Sequence, residues 1–146
     1  MNKVTNILLA VVASTMVLGT AIAAEMGAAH KVVIQVSSAD AQTQAIALNN
    51  AVNVQKHYGP GEVDVEIVAY GPGLSILTKN KKNKQADRVA SLAKSDITFS
   101  ACGNTMKKIA KKKGKEPALI DGVKVVTAGV VRLMELQEQG YSYIRP

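Results

Sequence analysis

Cysteine occurs once in the 146 residues, at position 102. One thiol excludes an intrachain disulfide framework and excludes CxxC redox chemistry within a chain. Tryptophan is absent, and the aromatic set is four tyrosines and one phenylalanine. So few stacking platforms argue against a nucleic-acid partner. The two histidines, His30 and His57, have no partner at metal-ligand spacing, so no metal centre is expected from them. The 11 acidic residues are scattered, which leaves no carboxylate pair for general acid–base hydrolysis. The G-x-S-x-G elbow, the Walker phosphate loop and the G-x-G-x-x-G fingerprint are all missing. No cofactor is expected.

What is present begins with the N-terminus. A short basic start (Lys3) leads into an apolar segment, residues 7–22, and then the small-x-small sequence Ala21-Ile22-Ala23. That is the pattern of a secretory signal peptide, with cleavage expected after Ala23. Its core is short for a bilayer span and is interrupted by Ser14 and Thr15, so no lasting membrane insertion is expected. Residues 24–146 then form one domain in the periplasm or outside the cell. Net charge is +7, or +6 once Lys3 is removed. The excess sits in KNKKNK (residues 79–84) and KKIAKKKGK (residues 107–115). Solvated lysine faces near a site for a small anion are the preferred reading of these runs.

Along residues 30–146 strand-like and helix-like patterns alternate. HKVVIQV (30–36) is a continuous apolar run, as expected of a strand buried on both faces. Asp40 in SSAD is placed to cap a helix over residues 41–57, with Ala45, Leu48 and Val52 on its apolar face. VDVEIVAY (63–70) alternates, which suggests a strand near the sheet edge. GPG and LSIL follow, and a helix resumes near Gln85. DITFSA (96–101) is a third strand, residues 105–113 a short helix, and VKVVTAG (123–129) a fourth strand with its turn. Val130, Leu133 and Leu136 stripe a last helix that stops at Gly140, and YSYI (141–144) closes as a fifth strand. The expected class is α/β, three layers around a five-stranded, mainly parallel sheet.

In such sheets ligands bind at the carboxyl ends of the strands. Three features fall on that rim: SSAD, then Gly71-Pro72-Gly73, then Cys102-Gly103-Asn104-Thr105. Cys102 sits where a strand ends and a helix is about to begin. Unpaired backbone N–H groups there favour a thiolate, and Lys107 and Lys108 add positive potential if they point back. Gly103 lets a ligand atom come close, and Asn104 and Thr105 can cap the helix and donate to an anion. Two other readings of the thiol stay open. Free cysteine is often inert packing, and Cys102 with Met106 makes a thin two-sulfur motif for Cu(I).

The segments HKVVIQVSS, VEIVAYGPGLSIL, ITFSACGNTM and GVVRLMELQEQGYSYIRP together resemble the DsrE/DsrF-like family of small sulfur-relay proteins. The resemblance implies a five-stranded parallel sheet in three layers and a homo-oligomer, a trimer or hexamer. It also implies a cysteine, here Cys102, that accepts sulfane sulfur as a persulfide and passes it to a thiol. Gly103, Asn104 and Thr105 would then bind the sulfur-containing anion, and Gly71, Pro72 and Gly73 would form the opposite wall. The competing expectation is a non-catalytic, oligomeric binder of a small anion or metabolite in which Cys102 is structural.

Overall fold

The computed structural model describes residues 28–146. The expected leader, residues 1–23, lies outside the described residues. The elements run β1 (His30–Val36), α1 (Ala41–Tyr58), β2 (Val63–Ala69), a 3-10 helix (Gly71–Leu77), α2 (Ala86–Leu92) and β3 (Ile97–Cys102). They continue with α3 (Gly103–Lys113), β4 (Lys124–Val126), α4 (Gly129–Glu138) and β5 (Ser142–Ile144). All five strands pair in parallel, in the order β4-β3-β2-β1-β5.

That order explains where the helices go. Each step from β1 to β4 moves one place in the same direction, so right-handed crossovers put every intervening helix on one face. Alternate residues of β1, β2 and β3 meet those helices: Val32, Ile34, Val36, Val65, Ile67, Phe99 and their neighbours pack with Leu48, Leu74, Leu77, Val89 and Met106. The return from β4 to β5 reverses direction, which leaves α4 by itself on the other face. There the apolar core is small, with Leu133 and Leu136 on Val33 and Val68.

Local chemistry fixes the element ends. Asp40 caps α1 as expected, its carboxylate accepting from the Thr43 amide at 2.7 Å and the Thr43 hydroxyl at 2.9 Å. Those donors hold the Asp40 carboxyl below the usual carboxylate range. Gln44 is buried and donates to the Ser38 carbonyl and to Ser75 Oγ, tying the start of α1 to the 3-10 helix.

Several sequence expectations are corrected. β2 is the central strand, not one near the edge. Its alternation misleads because Glu66 is buried, in an ion pair described below, rather than solvated. The buried face of α1 is Gln44, Ala47, Leu48 and Ala51, rotated from the expected Ala45–Leu48–Val52 stripe because the polar Gln44 is drawn inward by its hydrogen bonds. α3 begins at Gly103, two residues early, since β3 runs into it without a loop. Val130 is exposed on α4, because Gly129, Leu133 and Leu136 face the sheet.

Candidate functional site

The junction of β3 with α3 holds the thiol. Cys102 is the last residue of β3, paired in register with Val126 of β4, and also the N-cap of α3. It is 5% exposed. The first turn of α3 begins at the next residue, although the sulfur makes no capping hydrogen bond to it. A second helix start is also at hand. β4 ends at Val126, and after Thr127 and Ala128 the helix α4 begins at Gly129. The thiol thus lies between two helix N-termini, each with unpaired N–H groups and partial positive charge.

Their effect is a net downward push. Burial raises the Cys102 pKa, but the Thr105 hydroxyl and the backbone amides of Gly129, Thr105 and Asn104 outweigh it, so the thiol sits below the usual cysteine range. Lys107 and Lys108 stand exposed on α3 and are not among the groups acting on the sulfur. The lowering is made by dipoles and hydrogen-bond donors, not by the expected cations.

The other rim residues divide by what they do. Thr105 and Gly71 are brought together, with the Gly71 amide donating to Thr105 Oγ1 at 3.0 Å. Pro72 is exposed beside them. Gly73 is turned inward, and a Cβ there would overlap the Val36 carbonyl, so this glycine serves the close approach of the 3-10 helix to the end of β1. Gly103 likewise sits against β4, where a Cβ would come within 3.1 Å of the Val126 carbonyl oxygen. The Asn104 amide donates to the Thr127 carbonyl at 3.2 Å, stitching α3 to the start of the β4–α4 turn, while the Asn104 residue itself is exposed. Met106 packs into the larger core cluster, which commits its sulfur to packing instead of a shared site with Cys102. Among the described residues no three His, Cys, Asp or Glu side chains cluster for a metal.

Gly129 and Tyr70 escape the sequence reading. A Cβ at Gly129 would stand 2.9 Å from the Tyr70 ring, so the bare backbone lets α4 start close to the end of β2 and point its first amide at the thiol. The available signal was the run of small residues Thr127-Ala128-Gly129 after a strand, the same strand-to-helix cue that marks Cys102-Gly103.

A separate polar cavity of about 340 Å³ opens on the α4 face of the sheet. Its floor is an ion pair. Glu66, 4% exposed, accepts from Arg132 Nε at 2.9 Å, Arg132 Nη2 at 2.8 Å and Ser100 Oγ at 2.6 Å. This bidentate geometry raises the Arg132 pKa further above its already high value. Tyr141 lines the same cavity, its hydroxyl pKa pushed up by burial and by the charges of Asp64 and Glu66.

The sequence matches the DsrE/DsrF-like family over residues 30–146. Among solved structures, a protein of unknown function, MTH1491 from Methanobacterium thermoautotrophicum, is 28% identical. It superposes with a TM-score of 0.71 over 80% of this chain and 99% of its own. The ychN protein from E. coli shares the fold at 15% identity and a TM-score of 0.63, again over 80% of this chain and 99% of its own. No curated protein matches the sequence.

Proposed function

Since the chain belongs to the DsrE/DsrF-like family, we propose that its sulfur-relay-related function is carried by Cys102 as a persulfide. The observation that carries this reading is the thiol held between the N-termini of α3 and α4 with its pKa lowered. The Cys102 thiolate attacks a sulfane sulfur of a polysulfide, persulfide or thiosulfate-like anion. A Cys102 Sγ–S bond forms, the donor's S–S bond breaks, and its electron pair leaves with the departing thiolate or sulfite. An acceptor thiolate then takes the outer sulfur and releases Cys102 as thiolate, so no outside oxidant or reductant is needed. The Thr105 hydroxyl and the amides of Gly129 and Thr105 stabilise the negative sulfur at each stage. Gly71 and Pro72 line the approach from the 3-10 helix.

The test is incubation with polysulfide followed by intact-mass measurement. One added sulfur atom is expected on the native chain and none on Cys102→Ser. Absence of an adduct with every sulfane donor tried overturns the reading.

A second reading, a binder of a small anion or metabolite with a structural cysteine, is favoured by one observation. The described polar cavity lies over the neutralised Glu66–Arg132 pair, not at Cys102, and its lining of Asp64, Glu66 and Asp96 with Lys124 and Arg132 suits a polar metabolite better than an anion. Alkylation of Cys102 by iodoacetamide against pH separates the two. A midpoint below the free-thiol value of about 8.5 supports the relay, and an inert thiol supports the binder.

Two further parts of the proposal concern setting. The N-terminal leader directs export to the periplasm or beyond, which cell fractionation checks. The chain also self-assembles, as a trimer or hexamer. Supporting this, α4 leaves Val130, Val131 and Met134 exposed in a row.

A further inference from the structure

Ten of the 18 basic residues stand in two short runs, four lysines in residues 79–84 and six in residues 107–115. The fold gathers both runs on one side of the sheet. The 3-10 helix that precedes the first run packs into the larger core cluster through Leu74, Ile76 and Leu77, and α3 enters the same cluster through Met106 and Ile109. The connection after α3 is then tied to the first run. Thr78 and Leu119 form an antiparallel bridge, the Lys79 amide donates to the Ala118 carbonyl at 2.8 Å, and Lys79 Nζ meets Asp121 at 2.7 Å. Lys79 is the only one of the ten lysines in an ion pair among the described residues, and the other nine are exposed.

The chemistry of this face narrows its partner. Every cation in it is a lysine, a compact and strongly hydrated charge without the planar fork with which arginine reads a fixed carboxylate or phosphate. No aromatic residue lies in either run, so bases have nothing to stack on. The apolar residues Met106 and Ile109 of α3 are turned to the core, so nothing is left to insert into hydrocarbon. Among the described residues no helix is long and apolar enough to cross a membrane. Many interchangeable point charges on an outer helix face match a laterally mobile array of phosphates better than one fixed binding partner.

We propose that the lysine face built by α3 and the 79–84 segment docks this protein peripherally on an anionic phospholipid surface. The inference rests on lysine placement alone and stands apart from the reading of Cys102.

The test is sedimentation of the chain from Ala24 onward, which carries every described element, with phosphatidylcholine vesicles that contain or lack phosphatidylglycerol. Binding is expected only to the anionic vesicles. It should be released by salt, as the screening length falls from about 10 Å at 0.1 M to about 3 Å at 1 M. Replacing Lys107, Lys108, Lys111 and Lys112 together by Gln should weaken binding at least about tenfold. Glutamine keeps the helix propensity of those positions, and an unchanged melting curve confirms the fold. A variant of equal net charge, with Lys31, Lys56, Lys124 and Arg145 replaced by Gln, should keep most of its binding. Equal loss in both variants, no binding to anionic vesicles at low salt, or tighter lysine-face-dependent binding to an oligonucleotide than to the vesicles would each overturn the proposal.

Discussion

Thr105 Oγ1 accepts a hydrogen bond from the Gly71 amide at 3.0 Å, which leaves its own proton free to serve the sulfur of Cys102. The Thr105 hydroxyl is the strongest of the groups that lower the thiol's pKa. Thr105→Val is therefore expected to move the iodoacetamide midpoint upward and slow alkylation at neutral pH several-fold, whereas Thr105→Ser restores both. The same lowering has a thermodynamic side. A thiol whose folded pKa lies below its unfolded value stabilises the fold fully above the unfolded pKa. That contribution is lost as the pH falls through the folded one. Comparing native and Cys102→Ser chains by urea titration across this window should show a stability difference that grows with pH. At this scale the sequence located the thiol and Thr105, because a strand end followed by Gly-Asn-Thr is a local pattern. It could not show Gly129, whose amide reaches the sulfur only through the pairing of β3 with β4.

α4 is fastened to the sheet by little apolar contact, and the Glu66–Arg132 pair does much of that fastening. Arg132→Met should cost on the order of 3 kcal/mol by urea unfolding, because a buried carboxylate is left with Ser100 as its remaining partner. The double variant Glu66→Leu, Arg132→Met should recover most of that loss, since it removes both charges. The 3-10 helix is held differently, by close approach of backbone to backbone. Gly73→Ala should destabilise the fold by about 2 kcal/mol or more, because a methyl group there meets the Val36 carbonyl and not a yielding side chain. The order of elements was legible from periodicity and punctuation. The central place of β2 was not, because a buried Glu66 looks like a solvated one until the residue that neutralises it, 66 positions along the chain, is known.

The whole molecule has two unlike outer layers: a lysine-rich one carrying α3, and one where α4 covers only part of the sheet. Val130, Val131 and Met134 expose apolar surface on that sparsely covered side, and Tyr143 does so from β5. Replacing Val130 and Met134 together by Glu should shift the mass seen by light scattering from oligomer to monomer while leaving the helical signal intact. A native chain that scatters as a monomer at micromolar concentration would remove the basis for assembly. The layered architecture could be read from the sequence, because strand-helix repetition leaves few alternatives. Which face stays bare could not, since it follows from the strand order. The absence of any loop between β3 and α3 also sets how a sulfur atom would have to travel. Cys102 is anchored by the sheet on one side and by a helix on the other, so it has no tether to swing on. Under the relay reading, donor and acceptor must each carry their reacting atom to a stationary sulfur, and a partner protein would need a projecting tail or loop that ends in its own cysteine.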